Sequence, residues 1–380
     1  MDLRKVLYIS FFVVLITSLW PQNIDLLVIF SILALFLMPM NKWWNTGSLS
    51  LVMFSFMYFS LSLLTGVSQI GFLSLSYMFA PIAFYRFGHY CISDVKSDQA
   101  RCKLLFFIVL AYLLHLFIKT GIDISVVGLV SVDRTLLGAD QSANSITATY
   151  YGSMAAVGIG CVGAIFRKEL SLLNRILFAA VVVFSLLAVI HIVNRGGLVI
   201  LLVSLFVALV IKYKSNKFRL IAYLLMLFMF IVLLLNSGYI NTDIVEAYQD
   251  RNELDGYGVS TAGGRTDLWI VGLENLFVSP LGWSQESYAH NLWLDLAKIG
   301  GWVSLLPFMV MTFITIRNIF YLVRKSKSSI GYILAILNIA LLVASSMEPV
   351  IESSMLFFSL LIFVWGMTDE VCAEEKRILS

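Results

Sequence analysis

Charged residues are scarce in this sequence of 380 residues. Asp, Glu, Lys and Arg together make up 13% of it, whereas a soluble globular domain carries about one quarter. Hydrophobic residues reach 60%, and apolar runs of membrane-spanning length recur from one end of the chain to the other. The composition excludes an ordinary soluble domain. It predicts an all-α, polytopic helical membrane protein in which residues 1–380 form a single integral membrane domain.

Cysteine and the common catalytic motifs are also scarce. The four cysteines show no metal-ligand spacing, and none lies in a segment that we assign to the outer side. We therefore expect free thiols in a reducing compartment. The sequence has no P-loop, no Rossmann glycines, no Ser nucleophile elbow and no HExxH helix. Nothing predicts a cofactor or a metal site, and nothing indicates nucleic acid as a partner.

Twelve apolar runs predict about 12 transmembrane helices. Their approximate limits are 4–20, 24–40, 49–64, 70–87, 104–118, 146–166, 176–193, 197–211, 219–236, 291–316, 330–346 and 353–368. The first run follows a basic start but lacks a small-x-small cleavage site, so we interpret it as an uncleaved span. We interpret the run at 291–316 as two pieces, a surface helix to Ile299 and a span after Gly300-Gly301.

The distribution of Lys and Arg predicts the orientation. With the N-terminus inside, 20 of the 26 Lys and Arg residues fall on the inner side, as the positive-inside rule requires. An even number of spans returns the C-terminus to the inside, so both termini are predicted to be cytoplasmic. The outer side then carries a large loop at 237–290 with short helices and a smaller loop at 119–145. His89 falls on the inner side and has no predicted role.

The large outer loop is the longest polar interruption of the chain, and it contains Arg251, Arg265 and His290. Two glycines precede Arg265, and Asp267 follows just before an apolar-periodic run, which is typical of a helix N-terminus. Backbone N–H groups and the positive end of a helix suit an anion such as phosphate. The alternative is a plain interfacial arginine that closes a loop.

His290, Asn291 and Asp295 form a second group at the end of this loop. Asn291 and Asp295 are four residues apart and therefore lie on one helix face. His290 immediately precedes an apolar run, which places it at the membrane surface. A neutral imidazole there can accept a proton from a hydroxyl group. The alternative is a capping or structural histidine.

Two more outer arginines are candidates. Arg195 lies in a tight turn between two spans, beside two glycines that allow close approach, and Arg134 lies in the smaller outer loop. Arginines gathered at one leaflet would suit a diphosphate, because the guanidinium fork binds phosphate oxygens bidentately. The alternative is a set of scattered exceptions to the charge rule. His191 and Glu348 are weaker candidates for the same site.

The order of these motifs resembles the O-antigen polymerase and O-antigen ligase superfamily of bacterial polytopic membrane glycosyltransferases. The resemblance covers about residues 130–310. The motifs that carry it are Asn194-Arg195-Gly196-Gly197, Gly264-Arg265-x-x-x-Trp269, Pro280-Leu281-Gly282, His290-Asn291 and Gly300-Gly301.

The resemblance implies transfer of a glycan from undecaprenyl diphosphate to an acceptor hydroxyl at the periplasmic face of the bacterial inner membrane, without a metal or cofactor. By position, Arg195 and Arg265 would hold the diphosphate and His290 would be the catalytic base. The residues that we expect to bind substrate are Arg134, Arg251, Asp267, Asn291 and Asp295.

We interpret the chain as a polymerase, whose acceptor is a carrier-linked repeat unit. Its expected partners are the undecaprenyl-diphosphate-linked glycan, the lipid bilayer and a chain-length regulator protein. The ligase branch often shows a downstream Gly-x-x-(Gly, Thr or Tyr) pattern; Gly301 fits it and Ser304 does not, which favours a polymerase. A ligase that transfers the polymer to lipid A-core and a flippase for polyprenol-linked glycans remain alternatives.

Overall fold

The structure is a computed structural model, and it describes residues 3–17, 23–38, 45–66, 69, 71–131, 148–214, 216, 218–223, 225–226, 229, 265–283, 289–348 and 350–379. All regular structure in these ranges is helical. The helices are α1 (Leu3–Ile16), α2 (Asn23–Leu37), α3 (Thr46–Leu64), α4 (Phe72–Asp94), α5 (Asp98–Val127), α6 (Ala148–Ile159) with a 3₁₀ extension (Gly160–Phe166), α7 (Leu172–His191), α8 (Arg195–Tyr213), α9 (Arg265–Val278), α10 (Leu292–Lys325), α11 (Ser329–Met347), α12 (Val350–Ser353) and α13 (Met355–Leu379).

Eight of the described helices are long and apolar enough to cross a membrane: α3, α5, α6 with its extension, α7, α8, α10, α11 and α13. The all-α prediction is confirmed for the described residues, and these eight helices agree with a multi-pass membrane protein. Eleven of the twelve predicted runs coincide with helices, while most of the run at 219–236 lies outside the described residues. The count of 12 spans and the cytoplasmic location of both termini stay predictions.

The crossing of α4 and α13 forms the centre of the bundle. Gly88 of α4 lies against the carbonyl of Phe363, and Gly366 of α13 lies against the carbonyl of Tyr85. A Cβ on either glycine would overlap with the facing backbone. Small residues at a crossing let two membrane helices approach closely, which increases their van der Waals contact. These two glycines therefore explain why α4 and α13 pack tightly.

A polar network joins α4, α10 and α13 near the end of the bundle where α4 finishes. His89 Nδ1 lies 3.1 Å from Glu370 Oε2, and its Nε2 lies 3.3 Å from Asp369 Oδ2. Asp369 also accepts hydrogen bonds from the Tyr85 hydroxyl and from Asn318 Nδ2, both at 2.8 Å. His89, which has no predicted role, therefore ties α4 to α13 because both of its ring nitrogens face carboxylates.

A backbone break divides α10 at Gly301, where φ is 53° and ψ is −148°. The turn at 280–282 docks at this break, since the Trp302 N–H donates to the Pro280 carbonyl at 2.9 Å. A Cβ on Gly301 would overlap with the same carbonyl, so a glycine is required there. The predicted division of this run into two pieces at Gly300-Gly301 is confirmed.

The predicted outer loops need one correction. The smaller loop was expected to start at residue 119, but α5 continues as helix to Val127. The segment remains apolar through Ile122, Ile124 and Val126, and the helix ends only at Gly128, whose φ is 88°. Residues 132–147 lie outside the described residues. Within the predicted large loop, α9 occupies Arg265–Val278, and residues 237–264 and 284–288 lie outside the described ranges.

Candidate functional site

Four helix termini meet at one end of the bundle, where α8, α9 and α10 begin and α11 ends. Arg265, the first residue of α9, contacts Glu348, the C-cap of α11. Gly196 in the first turn of α8 borders the same carboxylate. Asn291, the N-cap of α10, donates a long hydrogen bond of 3.5 Å to the Ser346 carbonyl of α11. We call this end of the bundle, defined by these residues, the Arg265 end.

The ion pair between Arg265 and Glu348 lies at the centre of this end. Arg265 Nη2 is 3.3 Å from Glu348 Oε2, and the two side chains are 16% and 2% exposed. Because little water reaches the pair, solvent screens the charges weakly. A Cβ on Gly196 would lie 3.2 Å from Glu348 Oε1, so the α7–α8 turn runs directly past the carboxylate. Glu348 is only a weak candidate in the sequence, because nothing there indicates its partner.

Arg195 is the first residue of α8 and is half-buried. The side chain of Asn194 caps this helix by accepting a hydrogen bond from the Gly197 N–H at 2.8 Å. The Asn194 amide also fills the space beside Gly152 of α6, where a Cβ would overlap with it. The turn that carries Arg195 is therefore fixed between α6 and the Glu348 carboxylate, beside the Arg265 ion pair.

His290 has an unusual environment. Its φ is 50°, in the left-handed region that non-glycine residues seldom adopt. Its Nδ1 is buried and has no hydrogen-bond partner among the residues that the structure describes. Burial, and to a smaller extent the positive charge of Arg265, together lower the pKa of His290 to about 4. At neutral pH the imidazole is uncharged and can accept a proton.

Asp295 and Asn291 hold the turn around His290. The Asp295 carboxylate is fully buried and accepts hydrogen bonds from the Ala289 N–H at 2.8 Å and from the Asn291 N–H at 3.3 Å. Asn291 Oδ1 caps α10 by accepting from the N–H groups of Trp293 and Leu294. Asp295 therefore positions the turn that carries His290, and Asn291 caps α10. The predicted substrate-binding roles of both residues stay predictions.

A fully buried histidine supports the turn before Arg195. His191 and Asp123 are both fully buried, and His191 Nε2 lies 3.6 Å from Asp123 Oδ2. His191 Nδ1 donates to the Leu129 carbonyl at 3.1 Å. This pair links the end of α5 to the end of α7. Asp123 falls in a segment that the sequence predicts as loop, so it is not among the predicted site residues. An isolated carboxylate in an otherwise apolar segment is the signal that the sequence offers.

The remaining candidates are distributed as follows. Asp267 is exposed in the first turn of α9, two residues after Arg265. Arg134 and Arg251 lie outside the described residues, so their predicted roles stay predictions. Within the described ranges, no group of three or more His, Cys, Asp and Glu side chains is arranged to hold a metal ion.

The Arg265 end therefore combines groups with complementary chemistry. A guanidinium can bind an anion, an uncharged imidazole can accept a proton, and a buried carboxylate holds the guanidinium in place. The first residue of α8 adds a second arginine beside them. A scan against protein-family models gives no match to this chain, and a comparison with curated proteins gives none either.

Proposed function

We propose that the chain is a membrane glycosyltransferase of the O-antigen polymerase type. It transfers a glycan from undecaprenyl diphosphate to a hydroxyl of a carrier-linked repeat unit at the periplasmic face of the bacterial inner membrane. The reaction uses the carrier's own diphosphate as the leaving group, so it draws on no nucleotide sugar.

One observation carries this proposal: three motifs that are far apart in the sequence converge at the Arg265 end. Arg265 contacts Glu348, Glu348 borders Gly196 next to Arg195, and the charge of Arg265 acts on His290. A set of arginines scattered by chance would have no reason to meet a histidine whose backbone is held by a dedicated carboxylate. The convergence supports a site that binds an anion and moves a proton in one place.

The proposed chemistry is a displacement at the anomeric carbon. The acceptor oxygen forms a bond to this carbon, the bond from carbon to the diphosphate oxygen breaks, and the diphosphate leaves with the electron pair. Arg265 and Arg195 stabilise the negative charge that develops on the leaving group, which is commonly the largest catalytic contribution. His290 takes the proton of the acceptor hydroxyl, an effect of roughly 10²–10⁴-fold in general-base catalysis.

The low pKa of His290 fits this scheme because the negative charge of the bound donor would raise it. An imidazole with a pKa of about 4 is always available as an acceptor at neutral pH, but it is a weak base. A bound diphosphate brings negative charge to Arg265 and so offsets the charge that lowers the pKa of His290. Donor binding therefore makes His290 a stronger base only when there is a leaving group to displace.

Complementation of a polymerase-deficient host tests the proposal. His290→Ala should abolish most of the glycan length ladder while membrane levels of the protein stay normal. His115→Ala, which removes a histidine from the middle of α5, serves as the matched control and should leave the ladder intact. A normal ladder from His290→Ala at equal protein levels would remove His290 as the base.

The type of product defect separates the related functions. In a knockout of this protein, lipopolysaccharide with a single repeat unit supports the polymerase. Carrier-linked polymer beside bare core would identify a ligase. Repeat units trapped on the inner side would identify a flippase and would refute the proposed chemistry.

A further inference from the structure

Helix α9 exposes an apolar flank that no described part of the chain covers. Ile270, Leu273 and Phe277 are spaced by three and four residues, so they lie along one side of the helix. They are 51%, 50% and 72% exposed. In an aqueous loop such a flank would be unfavourable, because apolar surface in water costs free energy in proportion to its area.

The other sides of α9 have different characters. Gly272 and Leu276 are buried, and Leu276 packs with Ala297 and Leu305 of α10. Asp267 and Glu274 are exposed and lie seven residues apart, beside the apolar flank. At about 100° per residue, Glu274 is rotated by about 40° from Ile270, about 60° from Phe277 and about 100° from Leu273. α9 thus has one side on the protein, an apolar flank, and a polar edge between that flank and the exposed Val271 and Val278.

The apolar flank continues into the surface that α10 presents to lipid. The ring of Phe277 contacts the ring of Trp302, with 5.8 Å between their centroids. After this tryptophan, Leu306, Val310 and Phe313 stay exposed along one side of α10, which is long and apolar enough to cross a membrane. The exposed side chains of α9 and α10 therefore form one continuous apolar surface.

We propose that α9 lies in the membrane–water interface at the Arg265 end, with Ile270, Leu273 and Phe277 in contact with lipid acyl chains. Its polar edge, Asp267 and Glu274, faces the headgroups and water. The position matches that of interfacial amphipathic helices. The inference requires only that the bundle spans a membrane. It goes beyond the proposed function, and under that function it brings Arg265 to the depth of the carrier's diphosphate.

Site-specific fluorescence quenching in proteoliposomes tests this position. All four native cysteines are buried, so single cysteines can be introduced and labelled selectively. Phe277→Cys and Leu273→Cys probe the flank, Glu274→Cys probes the polar edge, and Leu306→Cys on α10 is the lipid-facing reference. Each variant carries a bimane label, and quenching is compared between a lipid with a nitroxide high on its acyl chain and the water-soluble quencher iodide.

We expect the lipid nitroxide to quench labels at Phe277 and Leu273 several-fold more strongly than the label at Glu274, and close to the reference at Leu306. Iodide should quench the label at Glu274 more strongly than the labels at Phe277, Leu273 and Leu306. Strong iodide quenching at all α9 positions would overturn the proposal, because the helix would then lie in water. Weak quenching by both reagents at Phe277 and Leu273 would also overturn it, because another segment of the chain would then cover the flank.

The readout does not involve catalysis, so its failure is distinct from a failure of the proposed function. Variants are compared only when they elute as one species and unfold at the same apparent temperature as the unsubstituted protein. A quenching pattern as expected together with an active His290→Ala variant would leave α9 in the interface and remove the catalytic proposal alone.

Discussion

The ion pair between Arg265 and Glu348 allows a structural role of the arginine to be separated from a catalytic one. Arg265→Ala removes the proposed diphosphate holder, but it also takes a cation away from a carboxylate that is 2% exposed. Loss of activity in this variant alone would therefore be ambiguous. Glu348→Gln keeps the shape and removes the charge, and the double variant Arg265→Ala with Glu348→Gln removes both charges together.

The structure sets the scale of the effect. Two unit charges 3.3 Å apart attract by about 5 kcal/mol at an effective dielectric constant of 20. Desolvation of both groups cancels much of this attraction, so the coupling between the two sites should be about 1–3 kcal/mol. Arg265→Ala alone should destabilise the protein by about 3 kcal/mol, since removing one partner of a buried pair is costly. Glu348→Gln and the double variant should each cost less.

Two measurements are needed on the same detergent-purified variants. Apparent unfolding temperatures at one fixed scan rate rank the stabilities, because unfolding of such a protein is commonly irreversible. Glycan polymerisation with a carrier-linked donor ranks the activities. We expect the double variant to regain stability relative to Arg265→Ala while both remain inactive. Arg265→Lys should also stay badly impaired, because it keeps the charge but loses the bidentate fork.

Normal polymerisation by the double variant would refute the proposed role of Arg265 as a diphosphate holder. Arg265 would then serve only to neutralise Glu348, and the anion would have to bind elsewhere. Equal instability of Arg265→Ala and the double variant would instead show that the carboxylate is not what makes the loss of the arginine costly.

Four further predictions concern the same site and its placement. Because His290 must be uncharged to act, kcat/KM should fall as the pH drops towards its pKa of about 4. Bound diphosphate raises that pKa, so the acid limb of the kcat profile should lie at higher pH than the acid limb of the kcat/KM profile. Acid limbs at the same pH in the two profiles would contradict this. Asp295→Ala should lower kcat more than it weakens donor binding, because the turn that holds His290 relaxes, and Asp295→Asn should recover part of the loss by keeping one acceptor oxygen. Polymerisation in purified membranes should survive strong chelation, since the arginines are the proposed diphosphate clamp; loss with EDTA and recovery with Mg²⁺ would point to a metal site. A reporter that is active only in the periplasm should work when fused after Gly256 and be silent when fused after Lys214, and the reverse pattern would place the Arg265 end on the wrong side.

The helices could be predicted from the sequence because hydropathy is a local property. An apolar run of sufficient length has few alternatives to a helix in a membrane, since every backbone polar group must be satisfied within the segment. The break in α10 was also predictable, because a glycine pair in an apolar run marks a position where the backbone can leave the helical conformation. Gly301 does so with a positive φ that a side chain would disfavour. Local signals were less reliable at helix ends. The sequence predicts that a loop starts at Lys119, but apolar residues continue past it and α5 extends to Val127.

The chemistry of the candidate site was predictable in part. Arg265, Arg195 and His290 were identified from residue type, neighbouring glycines and position beside apolar runs. Asn291 and Asp295 were correctly placed beside His290, but their side chains serve a helix cap and a backbone turn. A capping residue and a ligand-binding residue have the same letters in a sequence, and only the direction of their hydrogen bonds distinguishes them.

Only the tertiary structure decided which groups meet. Arg265 and Glu348 are 83 positions apart in the sequence. Asp123 and His191 lie on different helices, and so do His89 and Asp369. Such pairs depend on how whole helices pack, and packing is decided by the sum of many weak side-chain contacts rather than by any short motif. The sequence by itself determined that the chain forms apolar helices with cationic segments between them. Helix packing determined that the segments carrying Arg195, Arg265 and His290 lie together at one end of the bundle.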